Sequence, residues 1–243
     1  MANEKRTTQS ALVTGGSRGI GGAITLALIE SGFRTHFCGR KRGHLEEMLL
    51  RCEEAAPGMA FAHEADVRDG ERMAALVSEI VAANGGLDCL VNNAGVGIFG
   101  PVEELKPEDW RTMIDTNLSG AFHTIHAAAP VMRRQGHGWI INIASLAGKH
   151  PFAGGAGYNA SKFGLIGLSE AAMLDLRHDG VRVAVILPGS VATDFGGEGK
   201  RRDADWMLQP EDVARAVVDL IRFPSRALPS RLEIRPSKPP QHG

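Results

Sequence analysis

The feature that most constrains the fold is a near-continuous apolar run, VRVAVILPG, at positions 181–189. A strand of this composition suits a parallel sheet that helices cover on both faces, because neither face of the strand then meets water. A similar run at 11–15, ALVTG, ends in glycine and precedes apolar residues at helical spacing from Ile20 to Leu28. Strand, tight turn and helix are therefore predicted to follow one another at the start of the chain.

The same alternation continues along the chain. Five further strands are predicted near residues 33–38, 59–65, 87–95, 138–145 and 231–235. Helices are predicted from about Gly43, from Asp69 to Asn84, between 103 and 134, over the segment YNASK and from Pro210, with a glycine-rich loop at 148–157. The pattern predicts a single-domain, Rossmann-type, doubly wound α/β sheet of about seven parallel strands with helices on both faces. We expect the domain to span residues 1–236 and residues 237–243 to form a disordered tail.

Composition limits the classes of partner. The formal net charge is -1, from 27 basic and 28 acidic residues, so no long-range field attracts nucleic acid or an anionic membrane. The start, MANEKRTTQS, is polar, and no apolar run approaches the roughly 20 residues of a membrane span. The three cysteines are widely spaced, which argues against a disulfide framework or a zinc site and favours reduced packing residues. We expect a cytoplasmic protein with no metal, no nucleic-acid partner and no membrane association.

The segment TGGSRGIG, at positions 14–21, lies between the first predicted strand and the first helix. Gly15, Gly19 and Gly21 allow a tight turn and a close approach of the backbone to a pyrophosphate, and the helix N-terminus offers free N–H groups. Glycine can also serve shape alone in such a turn, so the motif favours nucleotide binding without establishing it.

The residues after the second strand indicate which dinucleotide is bound. A site that reads a free ribose 2'-hydroxyl usually has an acidic residue there, whereas this chain has Arg40 and Lys41. An acid would repel a 2'-phosphate and a guanidinium would bind it. With Arg18 in the glycine turn as a second cation, the sequence favours NADP(H) over NAD(H). The alternative is that these residues form a solvated basic turn.

Tyr158 and Lys162, in YNASK, stand four residues apart on a predicted helix, so both side chains can reach one site. A phenol beside an ammonium ionises more readily, because the cation stabilises the phenolate. Taken alone, however, the pair favours the simpler interpretation of a surface tyrosine and a surface lysine on an ordinary amphipathic helix.

Five motifs in one order resemble those of the short-chain dehydrogenase/reductase family. They are TGGSRGIG, NNAG at 92–95, Ser145 in INIAS, YNASK at 158–162 and PGSVATD at 188–194. The resemblance runs from about residue 10 to residue 193. It implies that Tyr158 is the catalytic acid/base and that Lys162 lowers its pKa and holds the nicotinamide ribose. Ser145 is implied to hydrogen-bond the substrate oxygen, and Asn117, in DTNLSG, to position a water for proton relay.

The resemblance also implies a cofactor site. Asp66 and Val67 resemble the pair that meets the adenine, and Asn93, Ala94 and Gly95 the stretch that lies against the cofactor. Pro188, Gly189, Val191 and Thr193 resemble the loop that contacts the nicotinamide end. The whole implied set is Gly15, Ser17, Arg18, Gly19, Ile20, Gly21, Arg40, Asp66, Val67, Asn93, Ala94, Gly95, Tyr158, Lys162, Pro188, Gly189, Val191 and Thr193.

These residues predict an NADP(H)-dependent oxidoreductase that interconverts a carbonyl and a secondary alcohol of a small molecule. Hydride reduction builds negative charge on the carbonyl oxygen, and Ser145 and Tyr158 are the two donors it requires. One alternative is a 3-oxoacyl-acyl-carrier-protein reductase, for which Arg133, Arg134 and Arg177 could contact the acidic carrier. Another is a non-catalytic protein that senses NADP(H).

The substrate pocket and the assembly are less specified. Residues 194–208 occupy the place of the family's substrate lid, where Phe195 and Trp206 could cover an apolar substrate, and Phe152 and His150 are expected on the other side. The resemblance implies a homo-dimer or homo-tetramer formed through the helices around 109–134 and 158–177.

Overall fold

Seven parallel strands form one central sheet in the structure, a computed structural model that describes residues 8–195 and 205–240. In chain order they are β1 (Ser10–Thr14), β2 (Arg34–Gly39), β3 (Ala60–Glu64), β4 (Cys89–Asn92), β5 (Gly138–Ile143), β6 (Val181–Pro188) and β7 (Arg231–Ile234). Across the sheet the order is β3-β2-β1-β4-β5-β6-β7, and every neighbouring pair is parallel. The predicted fold class is confirmed.

Helices connect the strands and cover the sheet. They are α1 (Gly19–Glu30), α2 (Arg42–Ala55), α3 (Gly70–Asn84), α4 (Pro107–Ile114), α5 (Gly120–Gln135), α6 (Ala156–Leu176) and α7 (Pro210–Ile221). After β3 the chain crosses back over β2 and β1 to begin β4, so β1 and β4 lie side by side where the strand order reverses. A crevice at this switch point, beyond the carboxyl ends of the strands, is where such folds bind ligands.

Successive side chains of each strand contribute to two different apolar cores, one on each face of the sheet. Val13 and Ile141 pack with α1, α2 and α7 on one face of the sheet, and their neighbours Leu12 and Ile140 pack with α3, α5 and α6 on the other. Successive side chains of a strand point to opposite faces, so a strand buried on both sides must be apolar throughout. This is the physical reason for the continuous apolar run in β6.

A chain of buried polar side chains joins the sheet to α5 and α6. Thr124 donates to Asn92 Oδ1 at 2.5 Å, Asn92 Nδ2 donates to Asn142 Oδ1 at 2.9 Å, and Asn142 Nδ2 donates to Ser169 Oγ at 2.8 Å. All four side chains are buried. Since a buried polar group without a partner is costly, this chain fixes the two helices against the ends of β4 and β5.

Three features of the helices differ from the prediction. Helix α6 begins at Ala156, inside the glycine-rich stretch that was predicted as loop, so Tyr158 lies in its first turn. Between α4 and α5 the helix widens into a π-helical segment, Asp115–Ser119. The first helix of the predicted 103–134 region begins only at Pro107, because proline is favoured in the first turn of a helix.

Three further features concern the cysteines, the length of the apolar helices and the C-terminal residues. All three cysteines are free and buried. Within residues 8–195 and 205–240, no helix is both long enough and apolar enough to cross a membrane. Residues 237–240 are exposed and form neither helix nor strand. The remainder of the predicted tail, 241–243, lies outside the described residues.

Candidate active site

Loops at the carboxyl ends of β1, β4, β5 and β6 bring most of the predicted site residues together. The glycine turn after β1 lies beside the NNAG segment after β4, because these strands are neighbours. Asn93 Nδ2 donates to the carbonyl oxygens of Thr14 and Gly15, at 3.1 Å each. In return, Thr14 Oγ1 accepts from the backbone N–H groups of Asn93 and Ala94. Four hydrogen bonds thus hold the turn in place.

Two glycines of the turn, Gly15 and Gly21, leave no room for a side chain. Gly15 has a φ of +62°, and a Cβ there would lie 2.9 Å from Ala94 Cα. A Cβ on Gly21 would lie 2.1 Å from the Gly15 carbonyl oxygen. The N-cap residue of α1 is Arg18, whose side chain makes no capping hydrogen bond, so the first N–H groups of the helix are open to an anion. These features fit the pyrophosphate of a dinucleotide.

The end of β2 lies next to this turn. A Cβ on Gly39 would lie 3.4 Å from Ser17 Oγ, and Arg18 and Arg40 are both exposed here. Two guanidinium groups at one edge of a phosphate-binding turn suit a second phosphate group.

Asp66 and Val67 follow β3. Arg68, which the sequence reasoning missed, binds the Asp66 carboxylate with an N–O distance of 2.6 Å, and this hydrogen bond together with the charges of Arg68 and Arg40 lowers the pKa of Asp66. Val67 is buried against Gly120 at the start of α5. The Asp66 carboxylate is therefore available at the edge of the crevice, whereas the Val67 side chain is part of the core.

Three of the four predicted catalytic residues meet at the end of β5. Ser145 lies close enough to Tyr158 to act as a hydrogen-bond partner that lowers the pKa of the phenol, and the Lys162 ammonium lies 5.7 Å from the centre of the Tyr158 ring. Lys162 Nζ donates to the Ile143 carbonyl oxygen at 3.0 Å. A Cβ on Gly95 would lie 3.6 Å from Nζ, so the NNAG segment closes over the ammonium.

Asn117 is the fourth predicted catalytic residue, and it lies in the π-helical segment. Its Oδ1 accepts from Val96 N at 2.7 Å, while its Nδ2 donates to the Val96 carbonyl oxygen and to Ser161 Oγ, both at 2.9 Å. Single π-helical turns occur often at functional sites. The side chain ties the loop after β4 to α6. Its role in holding a water stays a prediction.

Burial shifts both titrating groups of the site. Tyr158 is only 9% exposed, and burial raises the pKa of its phenol, an effect that the hydrogen bond from Ser145 partly opposes. The net direction is opposite to the one expected from Lys162, because desolvation of the phenolate outweighs the stabilising contacts. Burial also lowers the pKa of Lys162 to about 8. Both groups therefore carry their protons at neutral pH.

The loop after β6 closes the crevice from the opposite side. Gly189 N donates to the Ile234 carbonyl oxygen at 2.8 Å just after Pro188, and Val191 forms a bridge with Leu208. The methyl group of Thr193 comes within 3.5 Å of where a Cβ on Gly19 would lie. The predicted nicotinamide loop thus spans from the β6 end to the glycine turn.

Aromatic side chains surround Tyr158. Phe99 and Phe195 lie 5.6 Å from it, and Phe152 lies 6.5 Å from it, measured between ring centres. Phe152 and Phe195 were predicted near the pocket, whereas Phe99 was missed. The signal for Phe99 was an isolated aromatic residue in GVGIFGP, immediately after NNAG. Residues 196–204 of the predicted lid lie outside the described residues.

Comparisons with known proteins agree with this geometry. The family model described as short chain dehydrogenase matches residues 9–204. The 3-oxoacyl-acyl-carrier-protein reductase FabG of Staphylococcus aureus is 39% identical over 192 residues, which is 78% of this chain and 77% of that protein. The sepiapterin reductase of Chlorobaculum tepidum is 36% identical over 234 residues, 93% of this chain and 95% of that protein.

A solved structure gives the same result. A metagenomic short-chain oxidoreductase in complex with NADP superimposes with a TM-score of 0.83 at 38% identity, covering 95% of this chain and 98% of that one. The chain belongs to the short-chain dehydrogenase/reductase family. Within the family it resembles 3-oxoacyl-acyl-carrier-protein reductase-like members.

The shifted pKa of Lys162 predicts how stability depends on pH. Between the folded value of about 8 and the ordinary value of 10.5, the unfolded chain binds more protons than the folded one, so stability rises with pH in this window. Below pH 8 the full cost of burying the charge remains, about 3 kcal/mol. We therefore expect Lys162→Met to be more stable than the wild type at pH 7.

Urea unfolding at pH 7 and pH 9 measures this difference. The advantage of the variant should shrink at pH 9, even though the Ile143 carbonyl loses its donor at both values. Lys238→Met, in the exposed tail, is the control and should change stability at neither pH. A Lys162→Met protein that is less stable than the wild type at both values would contradict the burial argument.

Proposed function

We propose that the protein is an NADP(H)-dependent oxidoreductase that interconverts a carbonyl and a secondary alcohol of a small molecule. The observation that carries the proposal is the geometry around the Tyr158 phenol, which is buried 5.7 Å from the buried Lys162 ammonium and close enough to Ser145 for that hydroxyl to affect its pKa. Each group has a task in carbonyl reduction, and the arrangement gives both an oxygen-binding donor and a proton source.

The chain's own residues supply the proton chemistry. When bound, NADPH supplies the hydride that reduces the carbonyl carbon. Ser145 donates a hydrogen bond to the carbonyl oxygen, and Tyr158 gives that oxygen its phenolic proton, which leaves a phenolate. The Lys162 ammonium stabilises this phenolate through its charge. Because burial keeps the phenol protonated, Tyr158 is ready to act as an acid at neutral pH.

The preference for NADP(H) is supported by charge at the edge of the crevice. Strand β2 ends at Gly39 and is followed by Arg40, with Arg18 exposed across the turn. The Asp66 carboxylate, whose pKa the charge of Arg40 also lowers, is already bound by Arg68. The metagenomic structural neighbour was solved with NADP, which agrees with this assignment.

A small-molecule substrate is favoured over an acyl carrier protein. Of the basic residues that could meet an acidic carrier, Arg133 is already paired with Asp179 at 2.7 Å and donates to the Asp175 carbonyl oxygen. FabG aligns with 78% of this chain, whereas the sepiapterin reductase aligns with 93%. The name of the second relative says that it is a reductase of sepiapterin, not of an acyl carrier protein substrate.

The proposal also includes a cytoplasmic, homo-oligomeric protein. Four large apolar side chains on α4, α5 and α6 are exposed: Trp110, Phe122, Phe163 and Leu174. Exposed aromatic residues on adjoining helices support association of two or more copies through these helices.

Oxidation of NADPH by the wild type and by Tyr158→Phe tests the reaction. With a panel of ketones, diketones and a 3-oxoacyl thioester, we expect turnover that falls by roughly 100- to 10,000-fold in the variant, because the proton donor is lost while the ring remains. The absorbance of NADPH gives the rate. Equal rates in the two proteins would refute the role of Tyr158. Tight NADPH binding without turnover of any substrate would favour a sensor.

Replacement of Arg40 tests the cofactor preference. A charge-assisted hydrogen bond contributes about 1.5 to 3 kcal/mol, so Arg40→Ala should lower the ratio of NADPH to NADH affinity by roughly one to two orders of magnitude. Fluorescence titration with each nucleotide measures the ratio. Arg42→Ala removes the same charge two residues later, from a side chain paired with Glu46, and should leave the ratio unchanged. An unchanged ratio in Arg40→Ala would exclude this residue as the 2'-phosphate ligand.

A further inference from the structure

Three phenylalanines form a wall around the reactive phenol. This aromatic rim consists of Phe99, Phe152 and Phe195, whose ring centres lie 5.6 to 6.5 Å from that of Tyr158. Phe99 and Phe152 also contact each other, at 5.8 Å. Whatever binds against the rim is therefore adjacent to the proton donor.

The rim is assembled from three separate loops. Phe99 follows β4, Phe152 lies between β5 and α6, and Phe195 follows β6. Glycines make room for the rings, since a Cβ on Gly97 would lie 2.6 Å from Phe99 Cζ and 2.7 Å from Phe195 Cε1. A Cβ on Gly155 would likewise lie 2.7 Å from Phe152 Cε2. The fold thus brings together rings that are distant in sequence.

The rim rings are half exposed although they adjoin a buried residue. Phe99, Phe152 and Phe195 are 48%, 46% and 45% exposed, whereas Tyr158 is 9% exposed. A single exposed apolar side chain is ordinary, but three that each contact the ring of one reactive residue indicate a surface that a ligand covers. Among the described residues, Lys162 is the cation that lies over the Tyr158 ring, at 5.7 Å from its centre.

The ring orientations indicate what kind of ligand fits. Phe99 meets Tyr158 edge-on at 74°, and Phe195 and Phe152 are tilted to it by 55° and 48°. The three phenylalanines thus offer both ring edges and ring faces to a ligand. An aromatic ring of the ligand could pack against them in the offset or edge-to-face arrangement that aromatic groups prefer. A flexible acyl chain would gain only apolar contact there and would lose conformational entropy on being fixed.

Resting on the proposed function, we propose that the aromatic rim makes this enzyme a reductase of ring-bearing ketones, in which an aromatic ring is attached directly to the carbonyl carbon. The ring of the substrate lies against the rim, and its carbonyl oxygen reaches Ser145 and Tyr158. Phe99 and Phe152 are then specificity-determining residues for the substrate, with no part in the proton transfer.

Two ketones with the same number of carbon atoms test this specificity. Acetophenone carries a ring beside its carbonyl, and octan-2-one carries a flexible chain. With NADPH, we expect the wild type to favour acetophenone in kcat/KM by roughly two- to tenfold for each ring contact that it makes, the range that aromatic contacts provide. A 3-oxoacyl thioester is run beside them and should be the poorer substrate.

Leucine variants separate ring contacts from apolar volume. Phe99→Leu and Phe152→Leu should each lower the acetophenone to octan-2-one ratio several-fold and change kcat/KM for octan-2-one little, since leucine keeps the site apolar. Phe223→Leu, at an equally exposed phenylalanine after α7, is the control and should leave the ratio unchanged. NADPH affinity, measured for every variant, verifies that each protein is folded.

The outcomes distinguish this inference from the proposed function. Equal use of both ketones by the wild type, or a ratio that neither leucine variant changes, would overturn the role of the rim and leave the reductase assignment intact. Preference for the thioester would also overturn it, in favour of an acyl substrate. NADPH that binds but reduces no carbonyl compound at all would refute the proposed function as well.

Discussion

The buried ammonium of Lys162 is the constraint on which the rest of the site depends. It is 4% exposed, and the Ile143 carbonyl at the end of β5 is the hydrogen-bond acceptor that the structure gives it. Burial opposes its charge strongly enough to lower its pKa to about 8. Burying an ammonium costs free energy, and buried cations of this kind are typical of functional sites. There the cation stabilises a polar ligand and the negative charge that develops during the reaction.

The fold holds this cation in place through a small number of polar links. The chain Thr124–Asn92–Asn142–Ser169 fixes α5 and α6 against the strand ends, and Lys162 is carried on α6. On the nucleotide side, Asn93 and Thr14 hold the glycine turn against the loop after β4. Because parallel strands end at one edge of the sheet, these links and the catalytic groups share one crevice.

The fold could be predicted from the sequence because the patterns that indicate strands and helices are repeated along the chain. Apolar runs such as VRVAVILPG and the spacing of apolar residues in the helices are patterns that hold over many positions. The π-helical segment around Asn117 was not predictable in this way, because it alters hydrogen bonding over one turn without changing the apolar pattern. The start of α6 was missed for a similar reason, since glycine-rich sequence usually indicates a loop.

The electrostatics of the site also required the structure. The motif YNASK shows that a phenol and an ammonium share a helix face, but it does not show how deeply each is buried. Burial decides the direction of both pKa shifts here, and it depends on loops that are distant in sequence. Phe99 joins the site through the same convergence of loops, which no local pattern encodes.

Tyr158 is the only tyrosine of the chain, so the most direct test of the account is a pH titration of tyrosinate absorbance in the protein without added nucleotide. The account predicts a midpoint above the ordinary phenol value of about 10, because burial disfavours the phenolate. It also predicts a still higher midpoint in Ser145→Ala, which lacks the hydrogen bond that stabilises the phenolate. A midpoint at or below the ordinary value, or no change in Ser145→Ala, would contradict the claim that Tyr158 is a buried proton donor paired with Ser145.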